Sequence, residues 1–260
     1  MKISVIITTY NRCDALIKVL QGLSHQTVLP DEVIIADDGS TSDVVNKIKS
    51  FIKTVSYRIE YVWHDDKGFR ASKIRNMAIK KATGDYLVMI DGDCIPDKYF
   101  IKDHKDLAQK KFFFQGRRIL VGKSRSACFL YNDMNTAMKR CKLLISKDIS
   151  NKHHLLRISW FPELISGKLE GIIGCNMGFF IEDLYAVNGF NENFVGWGRE
   201  DSELVVRLYN YGLKRKSHPF KAVCYHLWHK KNDRNNLFSN DLLLEKAAKS
   251  GEYFCVNGLV

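Results

Sequence analysis

Three short, nearly unbroken apolar runs constrain this chain most: Ile3-Ser4-Val5-Ile6-Ile7, Val33-Ile34-Ile35-Ala36 after Glu32, and Tyr86-Leu87-Val88-Met89-Ile90. A strand with one wet face alternates apolar and polar residues, whereas a continuous run needs cover on both faces. Segments with helical spacing separate the runs. Leu16, Val19, Leu20 and Leu23 share one helical face, and Val44, Ile48 and Phe51 share another, with Ser40 or Thr41 as its N-cap. Arg58 to Trp63 reads as a further strand. A helix from about Ala71 to Ala82 ends at Gly84 and hands over to the third run. This βαβαβαβ order predicts an α/β fold with a mostly parallel central sheet flanked by helices.

In open α/β sheets the ligand site lies beyond the carboxyl ends of the strands. Polar clusters fall at three such ends: Thr8-Thr9-Tyr10-Asn11-Arg12, Asp37-Asp38-Gly39-Ser40 and Asp91-Gly92-Asp93. Two carboxylates one residue apart repel each other unless a cation stands by them, and Mg²⁺ or Mn²⁺ favours oxygen ligands. Asp91 and Asp93 are therefore candidate metal ligands. Asp37-Asp38 carries more acid than a turn with a helix cap requires, and a carboxylate there can accept from a ribose hydroxyl or a base N–H.

The second half is less regular. Lys111 to Val121 reads as a strand, Asn132 to Leu144 as a helix, Ser150 to Lys168 as a mobile loop, and Gly174 to Phe180 as a strand followed by a helix from Glu182 to Val187. A further helix begins near Glu200 and buries Leu204, Val205 and Leu208. It follows Gly196-Trp197-Gly198-Arg199-Glu200-Asp201. Acids in a first helical turn suit the helix dipole, but glycines flanking a tryptophan add an aromatic lip able to stack on a sugar ring. Glu200 and Asp201 offer a carboxylate that could deprotonate an alcohol. His226 and His229 could add a nitrogen to an otherwise all-oxygen metal site.

The formal net charge is +11, from 40 Lys and Arg against 29 Asp and Glu, so the surface should attract anions. No nucleic-acid-binding motif accompanies that charge, so nucleic acid is not an expected partner. The stretch from Lys214 to Arg234 is read as a basic tail for peripheral contact with an anionic membrane. No Gly-x-Gly-x-x-Gly follows the first run. Gly116 to Gly122-Lys123-Ser124 has five intervening residues where a P-loop needs four. Seven cysteines form no Cys-x-x-Cys pair, an odd count that fits a reducing compartment. The first apolar run is too short for a signal sequence or a membrane span, which leads to a cytoplasmic expectation, with peripheral placement on the inner face of the membrane.

Taken in order, Thr8 to Arg12, Asp37 to Ser40 and Asp91 to Asp93 resemble the nucleotide-binding half of a family 2 glycosyltransferase of GT-A fold, the Rossmann-like fold of nucleotide-diphospho-sugar transferases. Gly174 to His229 is similar to the C-terminal region shared by β1,4-galactosyltransferases and bacterial chondroitin polymerase, in which a Gly-Trp-Gly-x-Glu-Asp segment precedes a metal-ligating histidine. The resemblance implies a nucleotide-sugar half over residues 1–110, an acceptor and catalytic half of the same body over 111–235, and a C-terminal tail over 236–260. It implies Thr8, Tyr10, Arg12, Asp38, Arg75, Asp91 and Trp197 around a UDP-sugar donor, and Asp91, Asp93 and His226 around Mn²⁺ or Mg²⁺, with His226 preferred to His229. Asp201 would be the catalytic base and Glu200 would hold a hydroxyl. Arg199 stands where these relatives often carry glycine, which bears on loop mobility and acceptor fit.

The implied reaction is an inverting, metal-dependent transfer of a hexose or N-acetylhexosamine to a glycan or lipid-linked glycan in bacterial surface polysaccharide or lipopolysaccharide synthesis. A sugar-phosphate nucleotidyltransferase would also use paired acids and a metal, but needs no Gly-Trp-Gly-x-Glu-Asp segment and would release pyrophosphate. A non-catalytic sugar or nucleic-acid binding module is the third reading.

Overall fold

The apolar runs form the centre of a sheet in the computed structural model, which describes residues 1–134 and 136–260. The first half contains β1 (Ile3–Thr9), α1 (Cys13–Ser24), β2 (Glu32–Asp37), α2 (Ser42–Ile52), β3 (Ile59–Trp63), α3 (Ala71–Lys81) and β4 (Tyr86–Asp91). Then come β5 (Cys94–Pro96), α4 (Phe100–Leu107), β6 (Phe112–Gln115), β7 (Arg117–Val121), α5 (Lys123–Ser126), α6 (Ala137–Ile145), β8 (Ile149–Ser150) and β9 (Leu164–Ser166). The chain closes with β10 (Asn176–Phe180), α7 (Ile181–Ala186), α8 (Glu200–Asn210), β11 (Lys214–Ser217), β12 (Val223–Leu227) and α9 (Leu237–Ser250).

Among the described residues the larger sheet has the order β3-β2-β1-β4-β10-β6-β11-β9, and a smaller one has the order β5-β12-β7-β8. Strands β3, β2, β1 and β4 are mutually parallel, so their carboxyl ends share one edge. The absence of alternation follows from two cores. Val5, Ile7, Val33, Ile35, Val88 and Ile90 pack on one face with α1 and the small sheet, while Ile6, Ile34, Leu87 and Met89 pack on the other with α3 and α8. Strand β10 runs antiparallel to β4, opposing Asn176 to Ile90. Its beginning therefore abuts the end of β4, and the Asp91 N–H donates to the Cys175 carbonyl at 3.3 Å.

Several expectations change. The single strand over Lys111 to Val121 is two, β6 in the large sheet and β7 in the small one, with the corner at Gly116. A side chain at Gly116 would collide with Asn176 and the Ala222 carbonyl, so only glycine lets the chain change sheets there. The helix expected from Asn132 covers only Ala137–Ile145 after a 3₁₀ turn at Tyr131–Asp133, and residue 135 lies outside the described residues. The loop expected from Ser150 to Lys168 contains the end of β8, a 3₁₀ turn at Lys152–Leu155, and β9. Thr41 occupies the N-cap of α2 without a side-chain cap bond. The Ser40 hydroxyl instead accepts from Asn11 N–H at 2.7 Å, holding the loop after β1.

Lys214 to Arg234 is not a basic tail, because it contains β11 and β12. Lys216 is buried against Glu163 at 2.9 Å and donates to Gln109, so its charge is taken up internally. Residues 237–260 pack back on the body. Buried Asn188 accepts from Leu259 and Val260 N–H and donates to the Cys255 carbonyl. No helix among the described residues is long and apolar enough to cross a membrane.

Buried Asn76 on α3 joins the halves by two bonds to one residue: its amide donates to the Phe190 carbonyl at 2.8 Å and its carbonyl accepts from Phe190 N–H at 2.9 Å. Asn76→Ala leaves both Phe190 groups unpaired, which should cost about 2–4 kcal/mol. A melting midpoint lowered by roughly 10 °C is expected, and an unchanged midpoint would contradict this role for Asn76.

Candidate active site

Arg75 is the centre of the cleft. It lies on α3 with its side chain 7% exposed, and its guanidinium reaches Asp201 at 3.0 Å, Glu200 at 3.3 Å and Asp91 at 3.6 Å. Its Nε donates to Thr8 Oγ1 at 3.2 Å, and the Phe190 ring lies 5.1 Å beneath the guanidinium carbon. Thus Thr8 and Asp91, at the ends of β1 and β4, meet Glu200 and Asp201, at the start of α8, through one cation. Sequence reasoning placed Arg75 on the nucleotide or its phosphates. The structure ties it to the two carboxylates assigned to chemistry.

One guanidinium cannot neutralise three carboxylates. Burial and the neighbouring Asp201 push the Glu200 carboxyl up to about 7, against the pull of Arg75. Asp201 keeps its Oδ1 on Arg75, while its Oδ2 lies against Gly174 so closely that any side chain there would overlap it. Gly174, just before β10, therefore makes room for the Asp201 carboxylate.

A second cluster adjoins the first. Asp93 Oδ1 lies 3.6 Å from His226 Nε2, Asp93 Oδ2 lies 3.6 Å from His229 Nε2, and the two rings are 5.2 Å apart. One ligand atom from each of Asp93, His226 and His229 falls within 4.8 Å of the others. Burial lowers the pKa of His226, which favours the neutral imidazole a metal needs. Asp91, 3.6 Å from Arg75, lies outside this set, and His229 joins where His226 alone was preferred. Arg12, expected at the nucleotide-sugar, pairs with Asp93 and donates to the Trp228 carbonyl at 3.4 Å.

The third cluster holds Tyr10 and Asp38, two of the residues expected around the donor. Buried Asp38 accepts from the Arg70 N–H at 2.8 Å and pairs with His64 Nε2 at 2.7 Å. Burial raises its carboxyl, while Arg70 and His64 act in the opposite direction. Tyr10, 46% exposed, donates to Asp66 at 2.8 Å. His64 and Asp66 were missed, although His64-Asp65-Asp66 is the polar cluster at the end of β3, the fourth strand of the same edge.

Trp197 lies beside Arg234, whose guanidinium carbon is 5.0 Å from its ring. The loop around it is held by α9. Buried Asn240 donates to the carbonyls of Val195 and Gly198, and Arg199 Nε donates to Asp241 at 2.5 Å. Arg199 has φ +77, a left-handed conformation that strains a side chain by about 1 kcal/mol, where glycine would sit freely. The Asp241 contact helps hold this strained residue and limits the loop mobility that glycine would give.

Arg75→Met should test the hub through stability. Glu200 has a folded pKa raised above its unfolded value, so its contribution falls as pH rises from about 4.5 to about 7. Removing Arg75 raises that pKa further, so the variant should lose about 3–5 kcal/mol at pH 8 and distinctly less at pH 5, where the carboxyls can be protonated. Melting curves at the two pH values measure this, and an equal penalty at both would contradict the assignment.

Comparisons with known proteins give the family and the fold. Residues 4–165 match the family described as "Glycosyl transferase family 2", and residues 164–230 match "N-terminal domain of galactosyltransferase". The chain is 27% identical over 238 residues to a chondroitin synthase of Escherichia coli, covering 86% of this chain and 34% of that protein. It is 26% identical over 234 residues to a validoxylamine A glucosyltransferase of Streptomyces hygroscopicus subsp. limoneus, covering 81% and 48%. Over 228 residues it is 27% identical to a hyaluronan synthase of Pasteurella multocida, covering 81% and 23%. The chain thus spans half or less of the length of these relatives. Among solved structures, S. aureus TarS 1-349 in complex with UDP-GlcNAc aligns with TM-score 0.64 at 17% identity, covering 95% of this chain and 66% of that one. The mannosyltransferase PcManGT from Pyrobaculum calidifontis, in complex with GDP-Man and Mn²⁺, aligns with TM-score 0.57 at 20% identity, covering 88% and 58%. These likenesses are of fold, and the fold is GT-A. The chain belongs to glycosyl transferase family 2.

Proposed function

We propose that this glycosyltransferase moves a hexose or N-acetylhexosamine from a UDP-sugar to a glycan hydroxyl by a single inverting displacement. The observation that carries the reading is Asp201, held by Arg75 and seated against Gly174 at the edge where β1 and β4 end. The relatives named for chondroitin and hyaluronan synthesis support a polysaccharide acceptor. The neighbours crystallised with UDP-GlcNAc or with GDP-Man and Mn²⁺ support a nucleotide-sugar donor.

The mixed oxygen and nitrogen set of Asp93, His226 and His229 fits a divalent cation such as Mn²⁺, with Mg²⁺ less suited to imidazole. When bound, such a cation neutralises charge on the departing diphosphate, a Lewis-acid contribution. The other steps belong to side chains. Tyr10 and the Asp38–His64 pair line the nucleoside pocket, and Trp197 stacks on a sugar. Arg75 pairs with Asp201 and fixes its Oδ1, leaving Oδ2 to accept the proton of the attacking hydroxyl. A base so placed contributes about 10²–10⁴-fold. Glu200, whose carboxyl burial and Asp201 push up to about 7, can donate to or accept from a sugar hydroxyl.

The test is product release from a panel of UDP-sugars. UDP should appear with Mn²⁺ and stop with EDTA, whereas pyrophosphate release would favour a nucleotidyltransferase. Asp201→Asn should lower turnover by about 10²-fold or more with donor binding nearly unchanged. Gly174→Ala should do likewise without altering any ionisable group. Asp93→Asn should weaken Mn²⁺ and donor binding together. An Asp201→Asn protein with a normal melting curve and most of its transfer rate would remove Asp201 from the chemistry.

A further inference from the structure

We propose that Cys94, Cys175 and Cys224 form a second metal site, suited to a thiophilic divalent cation of the zinc class, directly beneath the Asp91-Gly92-Asp93 turn. Three separate stretches supply the thiols: the start of β5, the residue before β10, and the second residue of β12. All three are buried, and their sulfurs lie within 4.8 Å of one another. Three sulfurs around one zinc ion at about 2.3 Å stand roughly 4 Å apart, so small side-chain adjustments close the site.

Polar groups border the thiols. Arg118 Nη1 lies 3.8 Å from Cys175 Sγ, and Asp93 Oδ1 lies 3.7 Å from Cys94 Sγ. Three thiolates with a divalent cation carry one net negative charge, which the Arg118 guanidinium offsets. The displaced thiol protons leave to solvent. Cys13, Cys128, Cys141 and Cys255 take no part in the cluster.

The two metal-ligating clusters are layered. On β12, Cys224 and His226 are two residues apart and so share a strand face, with the thiol about 7 Å deeper along the strand. Oxygen and nitrogen donors stand at the cleft, and sulfur donors stand behind them. That division sorts hard from soft cations, since thiolates select zinc over Mg²⁺ or Mn²⁺. A bound ion would fasten β5, β12 and the approach to β10 behind the acidic turn, holding its position. This proposal does not depend on the glycosyl-transfer reading.

The test uses reduced, chelator-stripped protein carrying His226→Ala and His229→Ala, which removes the cleft's nitrogen donors. Titration with Cd²⁺ should give an ultraviolet thiolate-to-metal charge-transfer band that saturates at one equivalent, and adding Cys224→Ser should abolish it. If the serine variant does not fold, X-ray absorption on the zinc-loaded protein with its thiols intact decides. Sulfur scatterers at about 2.3 Å are expected, and nitrogen and oxygen neighbours alone would overturn the site. Absence of the band with all thiols reduced, or a band that survives Cys94→Ser with Cys224→Ser, would also overturn it.

Discussion

A buried guanidinium requires carboxylates, and the requirement of Arg75 organises this protein. Taking a cation out of water costs several kcal/mol unless close partners compensate. Its strongest partners come from far along the chain: Glu200 and Asp201 are 125 and 126 residues away. The half that ends β1 and β4 at one edge and the half that begins α8 there are therefore joined by charge at the place where a donor and an acceptor would meet.

Other contacts keep the hub in register. Asn76, next to Arg75 on α3, grips the backbone of Phe190, whose ring lies under the guanidinium. The antiparallel run of β10 brings Gly174 and Cys175 to the acidic turn, so one strand start serves both Asp201 and the thiol cluster. From outside, α9 holds the loop before α8 through Asn240 and Asp241. Arg199 can therefore occupy a left-handed conformation in a segment otherwise turned by glycines.

Much of this was legible in the sequence, for a physical reason. Strands β1, β2 and β4 are covered on both faces, and continuous apolar runs are what that environment selects. The acidic turns at their ends are local in sequence, so their place along one sheet edge could be read directly. Features set by distant contacts were hidden. Gly116 looks like any strand glycine until Asn176 and Ala222 crowd it. Arg75 has the composition of a phosphate ligand, and only the approach of α8 makes it a carboxylate clamp. The contacts of His229 and His64 were hidden because a histidine takes its partners from what faces it, and Asp93 and Asp38 lie far off in sequence.

The central claim is that one base, Asp201, acts on one acceptor in one displacement. The anomeric configuration of the product tests it most directly. With an α-linked UDP-sugar of known purity, the proton NMR coupling of the new anomeric centre should report a β-linkage. An α-linked product would demand a nucleophile or a front-face path that this cleft was not assigned, and would contradict the account.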